Sequence, residues 1–249
     1  MTETSKHAIS LPADAVGGKL QAQKYFCNCN PLLHSWNMMG LRECKKLRTR
    51  HEIADQAMRL FATRGFDHVT VVEVAAAAGV SEKTVFNYFP TKEDLIFDEV
   101  PKREAALLDA ISGRGPGESI LAALRRLQVG ECPRLCSPGF ATFARIIEES
   151  PALQAKELEV MAHFVHVLTN AIQSELQIAE RDARIAASLL ISIHRQVFHA
   201  ARKQALAGKH GATAIKQLHA DLERAYQLLE HGLGELEQPS RARRAAAPA

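Results

Sequence analysis

An all-α protein is what this sequence predicts, and three observations carry the expectation. Hydrophobic residues fill 47% of the 249 positions while aromatics reach only 6%, and alanine and leucine dominate the apolar set. Apolar side chains recur every three or four positions over long stretches, the period of one helix face. No run alternates apolar and polar residues between Gly or Pro turns, as a half-buried strand would.

Taken in order, residues 1–40 lack sustained periodicity, and Pro12, Gly17, Gly18, Asn28, Asn30 and Pro31 interrupt them. They read as a disordered N-terminal extension. Met38 and Met39 stand directly before the first helical segment, GLRECKKLRTR, so translation from there is a further expectation. From about residue 48, Ile53, Ala57, Leu60 and Phe61 repeat at helical spacing, and Gly65 ends the run. Thr70-Val71-Val72-Glu73 is a capping box that opens a second helix. Gly79 supplies a left-handed turn, Ser81 caps a third helix of seven or eight residues, and Pro90 stops it. Thr91 and Asp94 form another such box, predicted to open a fourth, linking helix in which Pro101 marks a kink.

Beyond Pro101 the periodicity predicts helices near 102–112, 117–130, 139–149, 152–177, 182–208 and 212–236, with a break over Cys132–Pro138. The tail PSRARRAAAPA is basic and predicted disordered. The expected organisation is an extension over 1–40, a helix-turn-helix DNA-binding domain over 41–100, a larger helical effector-binding and dimerisation bundle over 101–237, and a tail over 238–249.

Net charge is only +3, but Arg42, Lys45, Lys46, Arg48 and Arg50 cluster against the single acid Glu43, as phosphate attraction requires. The five cysteines, Cys27, Cys29, Cys44, Cys132 and Cys136, are odd in number, and Cys27-Asn28-Cys29 is too tight for a zinc knuckle. No cofactor or metal is expected. His163 and His166 can share a helix face, but no third ligand sits at matching spacing. No apolar run is long enough for a membrane span and no signal pattern opens the chain, so a cytoplasmic protein without membrane contact is expected.

Function is carried by "GVSEKTVFNYFPTKEDL". Val74, Ala75, Ala78, Val80, Val85 and Tyr88 fall on the inner faces of two short helices, and small Ala75 lets them approach. Glu82, Lys83, Thr84, Phe86 and Asn87 are left facing outward, where a short helix laid in the major groove meets base edges. Lys83 can bond guanine or phosphate, Thr84 phosphate or a thymine methyl, Phe86 thymine methyls or sugars, and Asn87 adenine or phosphate. Lys92 places an ammonium beside helix N–H groups suited to phosphate, and Arg48 and Arg50 reach toward a neighbouring phosphate or the minor groove. Thr70, Ser81 and Tyr88 complete the predicted DNA-binding set.

Residues 48–95, "ADQAMRLFATRGFDHVTVVEVAAAAGVSEKTVFNYFPTKEDL" with the leading "RECKKLRTR", resemble the N-terminal DNA-binding domain of the TetR family of bacterial transcriptional regulators. The resemblance implies a homodimer that lays one such helix in each half of a palindromic operator. The family usually has Tyr where Phe86 stands and often His at Asn87; its conserved lysine matches Lys92. The segment "FARIIEESPALQAKELEVMAHFVHVLTNAI" resembles C-terminal domains of a TetR subgroup with acyl-CoA-like ligands.

In the C-terminal part, Ile215, Leu218, Leu222, Leu229, Leu233 and Leu236 form one stripe, and Ile185, Leu189, Ile193, Val197 and Ala201 another. Paired with symmetry mates they would make a four-helix dimer interface. Phe140, Phe143, Arg145, Ile146, Met161, Phe164, His194, Arg195 and Phe198 are the candidate effector residues, with either arginine available to a carboxylate or phosphate. Two rival functions stand against a ligand-responsive repressor. An enzyme finds no support: there is no nucleophile elbow, phosphate loop, dinucleotide fingerprint or zinc-hydrolase helix, and adjacent Glu148 and Glu149 point about 100° apart. A sequence-neutral DNA-coating protein would carry more positive charge.

Overall fold

The computed structural model describes residues 41–232. Among them are nine α-helices, one 3-10 turn and no strand. The order is α1 Leu41–Arg64, α2 Val71–Ala77, α3 Glu82–Tyr88, the 3-10 turn Glu93–Leu95, α4 Val100–Ser112, α5 Ile120–Leu135, α6 Pro138–Glu148, α7 Pro151–Leu176, α8 Glu180–Leu206 and α9 Gly211–His231. The arm over 1–40, the start at Met38 or Met39, the tail over 238–249, and Cys27, Cys29, Leu233 and Leu236 lie outside the described residues.

Local chemistry explains most boundaries. The Thr70 hydroxyl accepts from the Glu73 N–H at 3.3 Å while Glu73 accepts from the Thr70 N–H at 2.8 Å, so both partners of the capping box are engaged. Gly79 turns the chain at φ +66°, and the Ser81 hydroxyl then accepts the Thr84 N–H at 3.1 Å. Helix α1 begins at Leu41, so the basic cluster is helical rather than a preceding arm.

Three expectations are corrected. The Thr91–Asp94 box forms, with Asp94 accepting from the Thr91 N–H at 2.9 Å, but it opens only the 3-10 turn. The linking helix is α4, which starts at Val100 with Pro101 in its first turn, where a missing N–H costs no intrahelical bond; Pro101 marks a start rather than a kink. Helix α5 runs through Pro133 to Leu135, because the proline falls in the last turn and buried Cys132, Leu135 and Cys136 anchor that turn in the core. The long stripes of α8 and α9 are largely intrachain packing: Ile193, Val197, Ala201, Leu218 and Leu222 are buried within the chain. Of these stripes Ile185 and Leu189 remain outside, at 55% and 48% exposure.

Two hydrophobic clusters organise the molecule. The larger one fills the space between α4, α5, α6, α7, α8 and α9. The smaller one belongs to the head, meaning α1–α3 and the 3-10 turn, and is built on Ile53, Ala57, Phe61, Phe66, Val74, Val85, Phe89 and Leu95. It is completed by Ile146, Ile147 and Leu153 from α6 and the start of α7, all of them fully buried. At roughly 2 kcal/mol for each large aliphatic side chain removed from water, this insertion is a large share of a small domain's stability. Phe97 and Phe143 pack against both clusters, ring centroids 6.4 Å apart and edge-on. Polar links reinforce the seam: Arg145 donates to the Ala62 carbonyl at 3.1 Å, the Ser150 hydroxyl to Asp67 at 3.0 Å, and Lys156 pairs with Asp94 at 3.1 Å.

Truncating the inserted wedge should be severe. Ile147→Ala is expected to lower unfolding free energy by about 2–5 kcal/mol, from lost transfer energy plus a cavity. Urea denaturation checks this; a variant as stable as the parent would mean that the wedge is not packed.

Candidate nucleic-acid interface

The head presents α3 as a short, exposed rod about 10 Å long. Its inner side is fixed by Val85 and by Phe89 just past its end, both fully buried with Val74 and Ala75 of α2. The sharp angle comes from Gly79, with the Val80 N–H bonded to the Ala75 carbonyl at 3.0 Å. The outer rim is Glu82, Lys83, Phe86 and Asn87, all exposed; Phe86 keeps 44% of its surface in water, a large apolar group with nothing of its own chain to cover it. Thr84 is half-buried and its hydroxyl lies 2.8 Å from that of Ser81. Thr70 and Ser81 act as the helix caps of α2 and α3.

Cations surround this rim on one element. Arg42, Lys45 and Lys46 are exposed on the first turns of α1, and Arg48 is exposed but tied to Glu52 at 2.9 Å, one turn along. Near α2, Arg64 pairs with Glu73 at 2.7 Å. The Thr70 N–H and then the Arg64 guanidinium hold the Glu73 carboxyl down to about 2. Val72, 57% exposed on α2, is a second apolar group at this surface that periodicity did not single out.

Deeper in the chain, α4, α5, α7 and α8 enclose a cavity of about 40 Å³. Leu107, Leu124, Leu127, Phe164, Leu168, Leu190 and Ile191 make most of its wall, and Arg103, Gln128, Glu131 and His194 complete it. Glu131 pairs with Arg103 at 3.5 Å and with Arg134 at 3.2 Å. Burial, and next the neighbouring Arg103 charge, push the His194 imidazole down to about 4, so the ring is neutral at pH 7.

A family profile described as bacterial regulatory proteins, tetR family, matches residues 53–98, from the middle of α1 to the residues before α4. The chain belongs to the TetR family. It is similar to the HTH-type transcriptional regulator TcmR of Streptomyces glaucescens, 32% identical over 130 residues that make 49% of this chain and 58% of that protein. It is also similar to the HTH-type transcriptional regulator LuxR of Vibrio harveyi, 44% identical over 54 residues, 22% of this chain and 26% of that one. The chain thus spans a little over half of TcmR and about a quarter of LuxR. Among solved structures it resembles NalD of Pseudomonas aeruginosa, described as the secondary repressor of the MexAB-OprM multidrug efflux pump, with TM-score 0.50, 20% identity and coverage of 72% of this chain and 96% of that one. That likeness concerns the fold.

In this TetR-family chain two predicted contact residues face inward. The Arg50 guanidinium donates to the Tyr88 carbonyl at 2.6 Å and the Asp98 carbonyl at 3.4 Å, and stacks over the Phe89 ring at 4.2 Å. It caps the C-terminal end of α3, where the helix dipole favours a cation, and so positions the rod. Lys92 donates to the Phe66 carbonyl at 2.6 Å with its ammonium 4.1 Å from the Phe66 ring, so it is not aimed at a phosphate beside a helix start. Half-buried Tyr88 gives Arg50 its carbonyl, with its side chain at the α3–α4 junction beside Pro90 and Val100.

The predicted effector residues do not form one site. Phe164 and His194 line the cavity. Phe140, Phe143 and Phe198 form an aromatic cluster with centroids 5.2–6.1 Å apart inside the core. Arg145 holds the Ala62 carbonyl. Met161 and Arg195 border an outer groove between α7 and α8, together with Phe198. His163 pairs with Glu104 at 2.8 Å and His166 with Asn170 at 3.2 Å. Arg103, Gln128 and Glu131 were missed as cavity residues. Gln128 had a signal: it interrupts the i, i+4 stripe Ile120, Leu124, Gln128, Cys132 of α5, all of it buried.

Lys92→Ala should therefore destabilise the fold by roughly 1–3 kcal/mol, through a lost charged hydrogen bond and cation–π contact, whereas Lys83→Ala should leave the melting temperature unchanged. Thermal denaturation of both variants checks this; equal stability of the Lys92 variant and the parent would contradict it. Asp98 is a second case. Burial first, and then the adjacent Glu99 charge, raise its carboxyl to about 6, above its ordinary value of 3.8. The folded chain then holds a proton more tightly than the unfolded one, so this contribution is full below about pH 4 and is lost as pH rises through 6. Asp98→Asn should flatten the stability profile between pH 4 and 6, measured by urea denaturation across that range. An unchanged slope would mean that Asp98 titrates normally.

Proposed function

We propose that this chain is a ligand-responsive transcriptional repressor that binds a palindromic operator as a homodimer and is released by a small, largely apolar effector. One observation carries the DNA-binding part: the outer rim of α3, Lys83, Phe86 and Asn87, stands exposed while Val85 and Phe89 lock its other side into the head. A rod this short covers few base pairs, so specificity calls for two copies on half-sites about one helical turn apart, or a multiple. Lys83 would read guanine or hold phosphate, Phe86 would meet thymine methyls, Asn87 would pair with adenine, and Arg42, Lys45, Lys46 and Arg48 would supply backbone attraction. Naming of the similar proteins TcmR and LuxR as transcriptional regulators supports the same reading.

Release would run through the cavity. At about 40 Å³ it has room for only a few waters, so an effector must part α4 and α5 from α7 and α8 to enter. Arg103 on α4 lines that cavity, and Phe97 and Val100 at the start of the same helix pack against the bundle core. Moving α4 would shift the end of α3 through Arg50 and Asp98. The effector must favour the conformation that does not fit the operator, or it shifts nothing.

Capture of sheared genomic DNA by the purified chain should enrich fragments that carry an inverted repeat, and these should survive excess random competitor. Lys83→Ala should weaken discrimination at one base pair per half-site by about 1–3 kcal/mol. Retention of random fragments as strong as that of inverted repeats would sink the regulator reading; loss that is equal for all sequences would move Lys83 to the phosphate backbone.

A further inference from the structure

The cavity carries a chemical preference of its own, and stating it rests on the effector reading above. Gln128 is only 8% exposed and lines the cavity, yet its buried Oε1 accepts no hydrogen bond. A buried amide oxygen left without a donor costs free energy that a suitable guest can recover. The other polar groups limit what that guest can be. Glu131 already accepts from Arg134 and pairs with Arg103, so no cation in the wall lacks its counter-charge. The neutral His194 ring adds no positive charge. Leucine, isoleucine and phenylalanine make the rest of the wall, which suits an apolar body.

We propose that the cavity selects an uncharged apolar molecule bearing a hydroxyl, which donates to Gln128 Oε1, and that it rejects the corresponding carboxylate. A carboxylate has only acceptors to offer; it would face the Gln128 oxygen and the Glu131 carboxylate and lose its hydration on entry. This departs from the anionic or acyl-type ligand that Arg145 and Arg195 suggested, since one of those arginines holds a backbone carbonyl and the other borders the outer groove.

Calorimetric titration of the full chain, free of DNA, with naphthalene, 2-naphthol and 2-naphthoate at pH 7 tests the preference. The alcohol should bind about tenfold more tightly than the hydrocarbon, the worth of one hydrogen bond to an otherwise orphaned acceptor. The carboxylate should bind most weakly of the three. Gln128→Leu, which keeps the site filled and apolar, should still bind naphthalene and should lose the gain from the hydroxyl. Binding of the carboxylate as tight as that of the alcohol, an undiminished alcohol preference in the Gln128→Leu chain, or binding of none of the three overturns the proposal. Operator capture without any compound is a separate readout: its failure would remove the regulator reading and leave the measured cavity preference as it is.

Discussion

The structure depends on a core that two parts of the chain share. The head alone buries few large side chains, and its contacts leave α3 standing outward. Ile146, Ile147 and Leu153 close the underside of that small cluster from the bundle, and Arg145, Ser150 and Lys156 tie the same seam with polar contacts. A seven-residue helix has little helical stability of its own. Its direction therefore comes from packing: Val85 and Phe89 below, Arg50 across its C-terminal carbonyls, and the wedge from α6 and α7 beneath all of them.

This arrangement makes the proposed switch physically reasonable. Well-packed cores move between discrete arrangements more readily than they bend. Phe97 and Phe143 touch both clusters, and Phe143 stacks on Phe140 while meeting Phe198 edge-on. An effector that widened the cavity at Arg103 would act on α4, and through Phe97 on the floor of the head. The coupling would be set by how differently the cavity binds its guest in the two arrangements.

Much of this was legible in the sequence because it is local. Thr70 with Glu73, Gly79, Ser81 and Pro90 each act within a few residues, and the inner positions Val74, Ala75 and Val85 follow from helical spacing. Long-range choices were not legible. Arg50 and Lys92 read as free cations because the carbonyls and rings that claim them, at Tyr88, Asp98 and Phe66, lie 26–48 positions away. Periodicity identified the stripes of α8 and α9 but not which surface covers them, since intrachain and interchain burial leave the same pattern. The Thr91–Asp94 box formed without a helix behind it, because Leu95 and Ile96 turn into the core directly after it. Gln128 was visible as a polar break in an apolar stripe, but its orphaned oxygen needs three dimensions.

Native-state hydrogen exchange tests the shared core most directly. If head and wedge are one cooperative structure, the buried amides of Phe61 and Phe89 should open with the same free energy as those of Ile147 and Leu153. Opening of the Phe61 and Phe89 amides at several kcal/mol less, with the bundle amides still protected, would show that the head unfolds by itself and that α3 is not held by the wedge.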